Sequence, residues 1–93
     1  MIRSFADRET EKLDAGRASK AVPEDVKTRA RKKLQVLDSA TDVEELRMPP
    51  GNRLEKLSGD REGQYSIRIN QQYRLCFRFE GGDAYDVEIT DYH

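Results

Sequence analysis

Three successive stretches of this chain alternate apolar and polar side chains with a period of two. In "QYSIRIN" (64–70), Tyr65, Ile67 and Ile69 alternate with Ser66, Arg68 and Asn70. In "YRLCFRFE" (73–80), Tyr73, Leu75, Phe77 and Phe79 alternate with Arg74, Cys76 and Arg78. In "AYDVEIT" (84–90), Tyr85, Val87 and Ile89 alternate with Asp86, Glu88 and Thr90. Such a period describes strands with one buried face. The loops between them, Asn70-Gln71-Gln72 and Gly81-Gly82-Asp83, are short enough for antiparallel hairpins. Slipping a pair by one residue would expose a whole apolar row, so the apolar faces must coincide. This requirement predicts Ile67 opposite Leu75 and Ile69 opposite Tyr73, then Phe79 opposite Tyr85, Phe77 opposite Val87 and Leu75 opposite Ile89. On the polar face, taken as open, it predicts Arg68 opposite Arg74, Arg74 opposite Thr90, Cys76 opposite Glu88 and Arg78 opposite Asp86. Continued pairing would set Gln72 opposite Tyr92, placing Tyr92 on the face of Arg74 and turning His93 away unless the end bends. A short strand around 53–57 is expected to precede the three.

The first half reads as helix. Residues 4–15 predict a short one stopped by Gly16, its thin apolar face carried by Phe5, Ala6 and Leu13. A second starts at Pro23, which suits a first helical turn, and has Glu24 and Asp25 near its positive end. It is expected to run to about Asp38, with Val26, Ala30, Leu34 and Leu37 on one face and Lys27, Arg29, Arg31, Lys32 and Lys33 on the rest. "MPPGNR" (48–53) is a loop by composition. Helices followed by strands define an α+β chain, and 93 residues make a single domain, 1–93, with one thin core. One cysteine, Cys76, excludes an internal disulfide and a cysteine-based zinc site, and no cofactor or metal is expected. No apolar run is long enough for a bilayer and the start lacks a secretory apolar region, so a cytoplasmic setting is expected.

Net charge is −1, so only the distribution of charge can speak of partners. Residues 53–78 carry six basic and three acidic side chains, whereas 80–91 is acidic. Two arginines directly opposite one another destabilise a sheet by up to about 1 kcal/mol. Either both splay into solvent, or Arg68 and Arg74 form a preformed site for an anion such as phosphate, which guanidinium binds bidentately. The inventory on this face suits RNA scission by the ribose 2′-OH. That reaction needs a base for the hydroxyl, a cation for charge developing at phosphorus, and an acid for the leaving oxygen. Arg74 and Arg68 can supply the cation. Tyr92 and His93 are candidates for proton transfer, Asp91 can tune His93, and Glu55 is a possible general base if it faces this surface. Arg53, Lys56, Arg61, Arg78 and Lys32 are candidate RNA or ribosome contacts. Cys76 is read as structural.

The segment "PPGNRLEKLSGDREGQYSIRINQQYRLCFRFEGGDAYDVEITDYH" resembles the HigB branch of the RelE-like (RelE/ParE) toxins, on "NRLEKLSGDR", "QYSIRIN", "YRLCF" and the terminal "DYH". The opening "MIRSF" and the helix pair fit the pattern more loosely. The resemblance implies a microbial-RNase-like fold, with two N-terminal helices packed on one face of a small, mainly antiparallel sheet. It implies the toxin of a type II toxin–antitoxin system, cutting mRNA in the ribosomal A site. It also implies neutralisation by a helix-turn-helix antitoxin of the HigA type in a heterotetramer. The family's site arginine falls on Arg74 and its C-terminal trio on Asp91, Tyr92 and His93; Arg68 falls where several relatives carry a basic group. The chain departs from the pattern at Glu55, where some members have histidine, at Ser58, where many have lysine, and at Asp14, where a large apolar residue is common. Asp14 is expected to lie at an exposed or shifted helix end, or to pair with an arginine such as Arg17. The departures at Glu55 and Ser58 keep a second reading open: a domain that occupies the ribosome or the antitoxin without cutting. A free RNase is a weaker third reading, because few phosphate contacts give weak, salt-sensitive binding.

Overall fold

In a computed structural model, which describes residues 1–91, two helices pack on one face of a four-stranded antiparallel sheet. Helix α1 spans Arg8–Asp14 and α2 spans Lys27–Ser39, while strands β1 (Glu55–Lys56), β2 (Tyr65–Arg68), β3 (Tyr73–Glu80) and β4 (Asp83–Asp91) lie in sequence order. The helix α2 begins as expected, through a tight turn at Glu24–Val26 just after Pro23. Its buried residues Ala30, Leu34 and Leu37, with Val26, recur at helical spacing and meet Ile67, Leu75, Phe77 and Val87 of the sheet in one core. No helix among the described residues is long and apolar enough to cross a membrane.

Helix α1 is shorter than the expected 4–15. Asp7 caps it, its carboxylate accepting from the Thr10 amide at 2.6 Å, and the residues before it are extended. Ile2 and Phe5 bridge in parallel to Ala84 and Val87, with the Arg3 amide donating to the Ala84 carbonyl at 2.7 Å and the Val87 amide to the Ser4 carbonyl at 3.1 Å. Further along, the buried Thr10 hydroxyl accepts from the Ile89 amide at 3.1 Å. The exposed edge of β4 thereby gains partners along most of its length. An unpaired edge invites association, and that demand outweighs the weak helical pattern of Phe5 and Ala6. At the far end of α1, the Leu13 carbonyl accepts from the Gly16 amide at 3.1 Å and from Arg31 Nε at 3.2 Å. Asp14 is exposed there, as anticipated. Its charged neighbour is Asp38 rather than Arg17; partial desolvation and the Asp38 charge push its carboxyl above the ordinary range.

The first hairpin has the expected register, Ile67 opposite Leu75 and Arg68 opposite Arg74. Asn70 organises its loop, its side-chain oxygen accepting from the amides of Gln72 and Tyr73 at 2.9 and 2.7 Å. In the second hairpin the lower half agrees: Leu75 faces Ile89, Cys76 faces Glu88 and Arg74 faces Thr90. The upper half does not. The turn is the two-residue Gly81-Gly82, with φ of 57° and 84°, so Glu80 faces Asp83, Phe79 faces Ala84 and Arg78 faces Tyr85 instead of Asp86. Two glycines at positive φ fit the tight hairpin turn whose twist matches the strands. The resulting one-residue offset is absorbed by a bulge at Asp86, which sits at φ 53°. Ala84 and Val87 both face the core, three residues apart, and Tyr85 turns to the other face.

Candidate active site

The polar face of the sheet is less open than its pattern suggests. Ser66, Arg74 and Cys76 are 0%, 7% and 0% exposed, because residues 49–64 fold back over them. Glu55 of β1 faces Ser66, which faces Cys76, which faces Glu88, forming one row across the four strands. Arg68, Arg74 and Thr90 form the next row.

Arg74 is held from two sides. Its Nε donates to Ser66 Oγ at 2.8 Å, and its Nη2 donates to the Arg53 carbonyl at 2.6 Å and to the Ser66 carbonyl at 3.4 Å. Glu55 Oε1 lies 3.7 Å from Nη1. A buried guanidinium needs such partners, since an unpaired charge in this position would carry a large desolvation cost. Glu55 therefore faces the surface on which a general base was sought, beside the cation. Arg53 reaches Arg74 through its backbone: at φ 45° and ψ 57° it is left-handed, which turns its carbonyl inward while its side chain stays exposed. The buried Thr90 hydroxyl, one residue across from Arg74, has no hydrogen-bond partner among the described residues.

Arg68 shares the row with Arg74 but its guanidinium is drawn the other way along the strand, Nε donating to the Asn70 carbonyl at 3.1 Å. Turning the two apart relieves the like-charge contact. Arg68 instead lines an open groove of about 820 Å³ between α2 and the β2–β3 loop, together with Arg29, Lys32 and Lys33. Burial, with Arg29 adding to it, holds the Lys33 ammonium below the ordinary lysine range.

The remaining candidates scatter. Arg61 Nη1 donates to Glu88 at 2.6 Å and to Gln64 at 3.0 Å, bracing the covering segment against β4. Arg78 is exposed and pairs with Glu80 at 3.2 Å. Lys56 faces Tyr65, on the opposite side of the sheet from Arg74. Asp91 likewise faces Tyr73 and accepts from Gln72 Nε2 at 3.0 Å. Tyr92 and His93 lie outside the described residues. Lys32, named from sequence as an RNA or ribosome contact, lines the groove, whereas its neighbours Arg29 and Lys33, with Ser66, the Arg53 carbonyl and Asn52, have no such assignment from sequence. Ser66 is within reach of the register argument, being a small hydroxyl residue one position diagonal to Arg74 on the same strand face.

This architecture is that of the small YoeB- and ParE-type toxins. The YoeB–YefM complex from Staphylococcus aureus superposes with a TM-score of 0.63 at 19% identity, covering 100% of this chain and 95% of that one. The YoeB/ParE toxin from Agrobacterium tumefaciens gives 0.57 at 15%, covering 99% and 98%. Sequence narrows the class. Residues 3–93 match the family described as the RelE-like toxin of type II toxin-antitoxin system HigB. Toxin HigB-1 of Vibrio cholerae serotype O1 is 38% identical over 90 residues, covering 96% of this chain and 95% of its own. Endoribonuclease HigB of Proteus vulgaris is 37% identical over 93 residues, covering 100% of both. The chain belongs to the HigB-like family of RelE-like toxins.

Proposed function

We propose that this chain is a type II toxin that acts as an endoribonuclease, cutting mRNA in the ribosomal A site and so arresting translation and growth. The observation that carries the reading is Arg74: a buried guanidinium fixed at 2.8 and 2.6 Å by Ser66 and the Arg53 carbonyl, with Glu55 at 3.7 Å, in a chain 37% identical to a protein named Endoribonuclease HigB. Fixed charge aimed at where charge develops is the most effective form of transition-state stabilisation. In this mechanism the ribose 2′-oxygen attacks the adjacent phosphorus, losing its proton to a base. The phosphorus–5′-oxygen bond then breaks, leaving a 2′,3′-cyclic phosphate, and an acid protonates the 5′-oxygen. Arg74 offsets the charge on the non-bridging oxygens. Glu55 is the base that the strand register supports; Tyr92 and His93, with Asp91, are assigned to proton transfer through the family resemblance. The toxin is cytoplasmic and is neutralised by a HigA-type helix-turn-helix antitoxin. A heterotetrameric assembly is supported by the YoeB–YefM complex of Staphylococcus aureus, which is described as heterotetrameric.

Primer extension on a translated mRNA, with purified protein and ribosomes present or absent, tests the proposal. Cuts within codons that need ribosomes are expected. Uncut transcripts with translation still blocked would establish the second reading, a binder that does not cut, which the commitment of Arg74 Nε and Nη2 to the protein's own oxygens would then explain.

A further inference from the structure

We infer that Asn52 is a positioning residue for Arg74, acting through the carbonyl of Arg53. Asn52 is fully buried, unusual for an amide side chain in a loop. Its Nδ2 donates to the carbonyls of Leu46 and Met48, both at 3.2 Å, and its Oδ1 accepts from Lys33 Nζ of α2. One side chain thus ties together the helical turn Val43–Arg47, the loop at Met48 and the second helix. Directly after it, Arg53 takes its left-handed conformation, its amide donating to the Pro50 carbonyl at 3.1 Å. That conformation aims the Arg53 carbonyl at Arg74 Nη2, 2.6 Å away. Only Asn and Gly enter this backbone region readily, and arginine does so at a cost; the anchored residue before it holds the chain there. The order of dependence is then Lys33 to Asn52, Asn52 to the Arg53 backbone, and the Arg53 carbonyl to the guanidinium. Lys33 also lines the basic groove, so the groove and Arg74 are joined through two hydrogen bonds and the Asn52–Arg53 backbone.

The activity arm of the test rests on the nuclease reading; the spectroscopic arm does not. Asn52→Asp keeps the size of the side chain and removes both N–H donors. Arg74 Nε–Hε gives a ¹⁵N–¹H resonance that is assigned by its loss in Arg74→Lys. In the unaltered protein it is expected to be dispersed and slow to exchange, because Ser66 Oγ accepts it. In Asn52→Asp it should collapse toward the position of exposed arginines, and in Arg53→Gly, which keeps the carbonyl and suits positive φ, it should stay in place. Ribosome-programmed cleavage by Asn52→Asp should show a kcat lowered about 10-fold or more, as misplacement of a reacting group does, with KM unchanged. A role confined to folding would lower the melting temperature and leave both the resonance and the kcat of the folded protein alone, and that result would overturn the inference. So would loss of the resonance in Arg53→Gly, which would assign the anchoring to the Arg53 side chain. Should Asn52→Asp not fold, Lys33→Met, which removes one contact of three, is expected to shift the same resonance in the same direction by less; an unmoved signal there would refute the chain of contacts. If no protein in the series cuts RNA, the resonance still decides whether Asn52 positions Arg74.

Discussion

Replacing Arg74 by alanine is expected to damage both fold and chemistry, and the two losses can be measured apart. Hydrogen bonds to charged groups contribute about 1.5–3 kcal/mol each. Arg74 makes two short ones, at 2.8 and 2.6 Å. The substitution also leaves the buried Ser66 hydroxyl and the Arg53 carbonyl without this donor. Against this, it removes a desolvated cation and whatever repulsion with Arg68 survives their turning apart, worth at most about 1 kcal/mol. The net expectation is a destabilisation of about 2–4 kcal/mol. A chain of this size has about 5–14 kcal/mol in hand, so the variant still folds. At about 4–8 °C per kcal/mol, its melting temperature should fall by at least about 8 °C, read by circular dichroism at two wavelengths. Cleavage of ribosome-bound mRNA at 20 °C or so, well below that transition, should slow by about 10²–10³, the range for losing one preorganised donor to a developing oxyanion. Ser66→Ala separates the effects: it removes one acceptor of the guanidinium and no charge, so about 1.5–3 kcal/mol of stability should go while the rate falls far less than in Arg74→Ala. Unchanged melting of Arg74→Ala would refute the hydrogen-bonded anchoring. A folded Arg74→Ala that cut at the original rate would refute its assignment as the cation.

Two further outcomes follow from the edges of the fold. Asp14 is an acid whose pKa in the folded state is raised by desolvation and by Asp38, so its ionised form opposes folding above that pKa and the penalty is gone once pH falls below the ordinary aspartate value. Asp14→Asn should therefore raise the melting temperature at neutral pH, with the gain vanishing near pH 3; a gain constant across pH would assign the effect to something other than charge. Asp86 sits at φ 53° in the bulge, so Asp86→Val should cost about 1–2 kcal/mol in urea unfolding, whereas Asp86→Gly should cost little; equal costs would mean the bulge has moved.

What the sequence made legible follows from what its periodicity encodes. Alternation located β2, β3 and β4, and the demand that Ile67, Leu75 and Ile89 share a face correctly set Arg68 opposite Arg74 and Arg74 opposite Thr90. Periodicity cannot register a bulge, because one inserted residue preserves a plausible alternation on both sides of itself. Tyr85 was therefore assigned to the core face that Ala84 occupies, although the Gly-Gly pair already favoured the two-residue turn that forces the shift. The extended opening segment was hidden for a different reason: its structure depends on β4 needing an edge partner, a relation between residues some eighty positions apart. The covering of the polar face by 49–64 was hidden in the same way. Its anchor is the backbone of Arg53, and a carbonyl has no signature in a sequence. The resemblance pointed to Arg74; the sequence left open which way Glu55 faces, and the pairing of β1 with β2 sets it beside Arg74; neither indicated that Ser66 and Arg53 hold it.

The charges on this face bear on how the protein would meet RNA. Glu55 and Glu88 close the two ends of one strand row, and each answers a nearby arginine, Glu55 at 3.7 Å from Arg74 and Glu88 at 2.6 Å from Arg61. A bare cationic patch would bind any polyanion, with affinity falling by about 0.7 powers of salt concentration for each single-strand phosphate neutralised. Here a phosphate approaching Arg74 must first contend with a carboxylate already beside it, and the chain as a whole carries a net charge of −1. On the proposed function, free RNA is expected to be a poor ligand for the site, with the scissile phosphate delivered and oriented by something other than this protein. On the proposed mechanism, the same carboxylate is the group that takes the 2′-hydroxyl proton. A base beside a fixed cation suits a reaction whose positioning is supplied from outside, and that division of labour is what a ribosome holding an mRNA codon would provide.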